Sequence, residues 1–432
     1  MRVLMFGWEF PPHISGGLGT ASYGLTKGMA TLDNLEVIFV VPKAWGDEDQ
    51  DIVRLIGANK VPVAFKKVYY KGFKRPLEKI EVLSKIVPYT DPEDFWKVTK
   101  SEVAGYSLFV KTNKRGMVDF SGKYGSNLMD EINNYAIVAS VIAEENQFDI
   151  IHAHDWLAYP AGIAAMEVSG KPLVIHVHAT DFDRSGGSVN PDVYHIEKSG
   201  MDAASKIITV SNLTRDIVIN KYNINPSKIE TVYNAVEPVT ISENHFIRKG
   251  FDEKVVTFLG RITLQKGPEY FIEAANKVLK VMDNVRFVMA GSGDMTEKMI
   301  RRAASLKITD RFHFTGFLKG SDVFSMLDMS DVYVMPSVSE PFGISPLEAM
   351  QSNVPVIISK QSGVAEILTH AVKTDFWDID AMADAIYGIL NYPALAEMYI
   401  KNGKEEVIRL KWDNSARHVR DIYNRVIENV KY

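Results

Sequence analysis

Lys254-Val255-Val256-Thr257-Phe258-Leu259-Gly260-Arg261-Ile262-Thr263-Leu264-Gln265-Lys266-Gly267 joins a short β-branched run to a glycine-flanked loop with two cations five residues apart. Val255–Leu259 reads as a strand covered on both faces of a parallel sheet. The loop behind it then falls at the carboxyl end of a strand, where open α/β sheets bind their ligands. Toward the C-terminus, Val285–Ala290, Phe312–Phe314, Val332–Met335 and Val356–Ser359 repeat the pattern, with helical segments between them. Toward the N-terminus the same alternation has already run once. Its strands are Arg2–Phe6, Glu36–Val41, Ile150–His152, Leu173–His178 and Ile207–Val210. Helical patterns lie between them near Ala21–Thr31, Met129–Glu144, Leu157–Val168 and Leu213–Tyr222, the last opened by Ser211 as a cap. Such an alternation predicts a doubly wound parallel sheet, and its restart predicts two Rossmann-like α/β domains. The expected domains are residues 1–240 and 241–411, with the polar stretch Glu237–Lys254 as linker.

Two segments break the alternation. Residues 44–127 hold no strong parallel-strand run; they start acidic at Asp47, Glu48, Asp49 and Asp51 and turn basic and aromatic from Lys66 to Arg75. Long excursions of this kind are commonly functional or mobile. A solvated surface insert and a flap that touches polymer or membrane are the two readings. At the other end, Trp412, Ala416, Val419, Tyr423 and Val426 follow helical spacing, so residues 412–432 should bury one helix face.

Composition narrows the function. The 432 residues carry 49 basic and 54 acidic side chains, a net charge of −5, and no cysteine. A nucleic-acid partner held through its phosphates calls for more positive excess. Disulfides, thiolate zinc sites and cysteine nucleophiles are excluded. Val3–Phe6 is too short for a signal peptide's apolar region, and no apolar run nears the ~18 residues of a membrane span. A soluble, cytoplasmic protein is expected.

The unusual residues cluster behind predicted strands. Pro11-Pro12-His13-Ile14-Ser15-Gly16-Gly17-Leu18-Gly19 leads into a helix, and glycines there let backbone N–H groups approach an anion. It is a poor dinucleotide fingerprint, because Ser22 stands where the third glycine belongs. His152 and His154 precede Asp155, and His176 and His178 precede Asp181; spacing of two places each histidine pair on one strand face. Imidazoles and carboxylates so grouped suit either a metal cluster or a polar wall for a hydroxyl-rich ligand. Asp155-Trp156-Leu157 lacks the further acid and histidine of metallohydrolase spacing, which favours the wall. Arg261 and Lys266 suit a diphosphate, the one as a planar fork and the other as a point charge. Gly291-Ser292-Gly293-Asp294 is a further turn of the same kind. In Ser339–Met350, Ser345 reads as an N-cap, Pro346 as the first helical residue and Glu348 as the third, a capping box. Glu340 and Gly343 have no such structural explanation, and the helix start offers N–H groups to phosphate oxygens.

Glu340 and Glu348 flank seven residues, which resembles the Glu-x7-Glu motif of retaining glycosyltransferases of the two-Rossmann GT-B fold, families 4 and 5. The Gly16-Gly17-Leu18 loop, His152-Ala153-His154-Asp155-Trp156 and Arg261…Lys266-Gly267 match in the family's order, and within it look most like bacterial and archaeal glycogen and starch synthases. The resemblance implies two domains facing across a cleft, a final helix that crosses back to the first domain, and no metal or other cofactor. It implies that Arg261 and Lys266 hold the diphosphate of a nucleotide-sugar donor and that Glu340 lies by the donor sugar. It gives Glu348 the ribose hydroxyls, and Gly16, Gly17, Phe342, Gly343 and Ile344 the phosphate or sugar. His154 would contact the sugar near its reacting carbon, and Asp155, His178 and Asp181 would line the cleft. Val232–Ala235 would be the strand end before the hinge. The implied activity moves glucose from ADP- or UDP-glucose to an α-1,4-glucan end with retention. Glycogen and starch synthases of the bacterial type carry a lysine two residues before the paired glycines, where this chain has Ile14. Relatives that lack it transfer hexose to lipid-linked or small-sugar acceptors, which is the alternative and the only reading with membrane contact. A non-catalytic nucleotide-sugar binder is the second alternative.

Overall fold

The computed structural model describes residues 1–14, 16–48, 52–63, 112–113, 115–122, 124–125, 127–238 and 249–430. Among these, seven strands form one parallel sheet: β1 (Arg2–Phe6), β2 (Glu36–Val41), β3 (Arg54–Gly57), β4 (Ile150–His154), β5 (Leu173–Val177), β6 (Lys206–Thr209) and β7 (Ile229–Thr231), in the order β3-β2-β1-β4-β5-β6-β7. Six more form a second: β8 (Lys254–Leu259), β9 (Val285–Ala290), β10 (Phe312–Gly316), β11 (Val332–Met335), β12 (Val356–Ser359) and β13 (Val372–Thr374), in the order β10-β9-β8-β11-β12-β13. Both orders run outward from a central first strand and then reverse. The reversal lies between β1 and β4 in one sheet and between β8 and β11 in the other. At such a point the loops on either side diverge and leave a crevice. Of the six loops singled out in the sequence, the four behind β1, β4, β8 and β11 flank these two crevices, and those behind β5 and β9 lie one strand away.

The central strands are as apolar as their burial demands. Val3, Leu4, Met5 and Phe6 of β1 have no exposed surface. In register, Val3 sits between Val37 and Ile150, and Phe6 between Val40 and Ala153. Short edge strands escaped the sequence pattern. β3 falls inside residues 44–127, where no parallel strand was expected, and pairs Ile38 with Arg54 through Val41 with Gly57. Its burial is incomplete and its first residue charged, which hid it. The basic and aromatic run Lys66–Arg75 lies outside the described residues. β7 ends at Thr231, so Val232–Ala235 is not strand but the stretch that follows it.

The C-terminal helix Trp412–Val430 packs on the N-terminal domain. Ala416, Val419, Ile422, Tyr423 and Val426 share a core with Val3, Met5, Val37 and Phe39. Close approach is made possible by two glycines of helix α1 (Gly17–Ala30): a Cβ at Gly24 would stand 2.3 Å from the Trp412 ring, and one at Gly28 would stand 2.7 Å from its backbone. Glu366 of the second domain reaches the other way. Its carboxylate accepts from the N–H groups of Asn212 (2.9 Å) and Leu213 (2.7 Å), the open N-terminus of the helix Asn212–Tyr222, and from the Tyr233 hydroxyl. Ser211 caps the same turn by accepting from the Thr214 N–H, as its sequence position predicts. No helix of the described residues is long and apolar enough to cross a membrane.

Candidate active site

On the side of the second domain, β8 ends at Leu259 and the chain turns through Gly260 (φ 156°) into Arg261. A single 3-10 turn, Leu264–Lys266, presents Lys266, and Gly267 (φ 65°) then passes so close to Pro336 that a Cβ would stand 2.1 Å from its carbonyl oxygen. Only glycine fits there. Val338 N–H donates to the Gln265 carbonyl (2.9 Å), which locks the β8 and β11 loops edge to edge. The lock brings Lys266 against Glu340, 74 residues away, and the ammonium donates to a Glu340 carboxylate oxygen. Ser337 donates to the same oxygen at 3.2 Å. Arg261 lies in the same loop, its guanidinium 3.5 Å from the Gln265 side-chain oxygen.

Gly291 and Gly293, expected as a further anion turn, serve packing. A Cβ on either would collide with the carbonyl of Gly260 or Ile262, at 1.8 and 2.3 Å. The capping box also fails. The helix opens at Ser345 with Ile344 as N-cap and no side-chain cap, because the Ser345 hydroxyl pairs with Tyr333 instead (2.8 Å). This frees Glu348 from a capping role. Its carboxyl has no hydrogen-bond partner among the described residues, and burial pushes it up to about 7. Gly343, expected to be exposed, is buried and takes a positive φ of 100°, with the Met335 and Glu340 side chains against it. Phe342 is buried beside Tyr233, so its ring belongs to the core rather than to the cleft wall, and Ile344 packs between the cores of both domains.

In the first domain, α1 begins at Gly17 behind an extended Gly16. No side chain caps it, and a Cβ at Gly16 or Gly17 would meet nothing within 4 Å. The start of a fourteen-residue helix is thus left open beside the crevice, which suits an anion.

Behind β4 and β5 the picture differs from expectation. His152, His154, His176 and His178 stand on one face of two adjacent strands, His154 level with His176. Their rings stack at 4.3–5.4 Å. Burial pushes His152 and His178 down to about 3, and the other two well below the usual imidazole range, so all four are neutral. His154 has no exposed surface, although the donor sugar was expected to reach it; only His178, at 9%, nears the cleft. Asp155 and Asp181, expected to line the cleft, are consumed by structure. Asp155 adopts φ 61° and accepts from the N–H groups of His178 (3.2 Å) and Ala179 (3.3 Å) and from Arg184 (2.7 Å). Asp181 accepts from the Asn190 N–H at 2.6 Å.

Sequence reading missed the network beneath. Arg184 bridges Asp155 and Glu197, the latter at 3.3 Å, while Tyr222 also donates to Glu197. Burial drives the Glu197 carboxyl up to about 8, and Arg184 opposes that. Asp183 accepts from the Thr180 N–H and hydroxyl, both at 2.8 Å, and across the cleft from the Ser339 hydroxyl at 2.5 Å. The density of charge in Thr180-Asp181-Phe182-Asp183-Arg184, directly behind a strand, was the available signal.

Comparison with known proteins agrees with this architecture. The family model "Glycosyltransferase Family 4" matches residues 126–239, and "Glycosyl transferases group 1" matches residues 241–406. An uncharacterised glycosyltransferase of Methanocaldococcus jannaschii is 27% identical over 99% of both chains. A glycogen synthase of Mycobacterium tuberculosis is 22% identical over 98% of this chain and 94% of its own. Among solved structures, Anabaena HepE in complex with UDP and glucose superposes with a TM-score of 0.67 at 16% identity, over 98% of this chain and 99% of that one. Two doubly wound sheets with their switch points facing one crevice, and sequence matches to a glycosyltransferase model in each half, place the chain among the glycosyltransferases of the GT-B fold.

Proposed function

We propose that the protein transfers glucose from ADP- or UDP-glucose to the end of an α-1,4-glucan with retention of configuration. The observation that carries this reading is the contact of Lys266 with Glu340 at the second switch point. Without ligand, the lysine's charge is matched by a carboxylate. A diphosphate offers Lys266 and Arg261 a stronger partner and releases Glu340 toward the hydroxyls of the donor sugar. As the sugar–phosphate bond breaks, negative charge grows on the departing diphosphate. Arg261, Lys266 and the open start of α1 are fixed where that charge appears, and need no reorganisation to stabilise it. In this reading the fixed cations do the work that a divalent ion does elsewhere, so the transfer step itself uses no metal. Glu348, uncompensated and half-buried, takes the ribose. The near-full-length match to a glycogen synthase and the UDP and glucose bound by the HepE neighbour support a nucleotide-glucose donor and a glucan acceptor.

The test is incubation with radiolabelled ADP-glucose or UDP-glucose in the presence of glycogen, followed by digestion with an α-1,4-specific glucosidase. Label incorporated into glycogen and released by the digest is expected. Donor turnover without incorporation into glycogen overturns the acceptor, and no turnover of either donor overturns the reading.

A further inference from the structure

Glu340 is fixed along most of its length, but its carboxylate is not. The backbone is pinned to the loop behind β12: its N–H donates to the Gln361 carbonyl and its carbonyl accepts from the Gly363 N–H, both at 2.9 Å. The side-chain stem lies against Gly343, where an added Cβ would stand 3.2 Å from the Glu340 Cγ and 3.1 Å from the Met335 Cε. The last torsion, which turns the plane of the carboxylate, is intrinsically broad for glutamate. Hydrogen bonds must therefore set it. Two donors reach the group, the Lys266 ammonium and the Ser337 hydroxyl (3.2 Å), and both go to Oε2. Oε1 accepts from none of the described residues.

A ligand acts differently on the two donors. Lys266 is charged and 19% exposed at the lip of the crevice, so a diphosphate competes for it. Ser337 is neutral, has no exposed surface, and bonds to Glu340 alone among the described residues. Its neighbours in the chain are both held on the β8 loop. The Pro336 carbonyl lies against Gly267, and the Val338 N–H donates to the Gln265 carbonyl. The serine therefore stays in place when the lysine is drawn away. The geometry points to Ser337 as the positioning residue that aims Glu340 in the donor complex, an assignment that rests on the transfer reading above. Once the diphosphate takes Lys266, the hydroxyl keeps its bond to Oε2 and leaves Oε1 as the oxygen offered to the hydroxyls of the donor sugar. Lys266 and Ser337 thus act in turn: the lysine balances the carboxylate before the donor binds, and the serine orients it afterwards.

The test is a cycle of Ser337→Ala, Lys266→Met and the double variant in the full-length protein. Thermal melts without ligand come first. Ser337→Ala alone should move the melting temperature little, because Lys266 still meets Glu340. In the Lys266→Met background the same change removes the last donor to a buried carboxylate, and the drop should be clearly larger than in wild type. Equal drops in the two backgrounds mean that the sites are uncoupled and overturn the assignment, as does a large drop from Ser337→Ala alone. Transfer to glycogen is then measured with whichever of UDP-glucose and ADP-glucose the wild type uses. In Ser337→Ala, kcat should fall about 10–100-fold, the size of a lost hydrogen bond to a charged group. The dissociation constant of the nucleoside diphosphate alone should stay at its wild-type value, because that ligand lacks the sugar Glu340 meets. An unchanged kcat, or a nucleotide affinity that falls along with it, overturns the aiming role and leaves the transferase reading intact. Wild-type protein that turns over neither donor overturns the transferase reading, and the aiming role with it.

Discussion

Arg184 at the end of the first sheet and Lys266 at the end of the second are both paired with acids, but under different conditions. The Arg184 side chain is 9% exposed and its partners Asp155 and Glu197 are 5% and 2% exposed. Lys266 is 19% exposed and pairs with a single carboxylate, Glu340, at the lip of the crevice. A fully enclosed pair cannot trade partners, because separating it strands a charge in the interior. A pair at an opening can, because water or an incoming phosphate replaces the lost contact. The first region thus spends its charges on holding β4, β5 and the following helices in place, and the second keeps its charges exchangeable. One half is scaffold, and the other is where ligand chemistry is expected.

Removing Arg184 probes the scaffold side hardest. Arg184→Met leaves Asp155 and Glu197 buried without their cation, and breaking such a pair costs about 3–5 kcal/mol. Urea unfolding should show that loss, and a loss below about 1 kcal/mol would mean the network is dispensable. Lys266→Met should do the reverse. Transfer should fall about 10²–10³-fold, roughly 3–4 kcal/mol in the barrier, by analogy with removal of one preorganised donor. Its unfolding free energy should move far less than that of Arg184→Met. Equal destabilisation by the two variants would erase the distinction between the regions.

One contact joins them. Ser339, next to Glu340, donates to buried Asp183 across the crevice. Ser339→Ala removes a hydrogen bond to a charged group, worth about 1.5 kcal/mol at the low end, since Thr180 still supplies two donors to Asp183. The loss should fall on the closed arrangement: a larger radius of gyration in solution scattering and a raised donor KM. An unchanged radius and KM would show that this contact is incidental to closure.

What the sequence revealed follows the same division. The central strands were legible because burial on both faces leaves an unbroken apolar run, and Arg261, Lys266 and Glu340 were legible because nothing structural explains them behind a strand. Edge strands β3, β7 and β13 were not, since three or four half-exposed residues leave no pattern. The Arg184–Glu197 bridge was not, because it joins residues 13 apart on different elements, and only the fold brings them together. Ser345 shows the opposite failure. Its local sequence specifies a cap, but the Tyr333 hydroxyl, arriving from β11, outcompetes the backbone for it. Local patterns lose wherever a distant side chain offers the better partner.

The smallest expected effect concerns Glu348, where scaffold and ligand demands oppose each other. Burial raises its folded-state pKa from 4.5 to about 7. An acid whose pKa is raised on folding favours the folded state at low pH, and that advantage is lost as pH rises from about 4.5 through 7. Above pH 7 the folded protein carries a buried charge with no hydrogen-bond partner among the described residues. Glu348→Gln removes that charge and should stabilise the ligand-free protein at pH 8 by about 1–2 kcal/mol, after allowance for partial exposure. At pH 5 it should change little. A ribose hydroxyl donates better to the carboxylate than to the acid, so nucleotide binding should lower the same pKa. The affinity difference between wild type and Glu348→Gln should therefore widen from pH 6 to 8, with the wild type binding more tightly. Thermal melts of both proteins with and without UDP across that range measure both quantities at once. If the variant gains stability and loses no affinity, the strain at Glu348 belongs to the scaffold after all, and the ribose is held elsewhere.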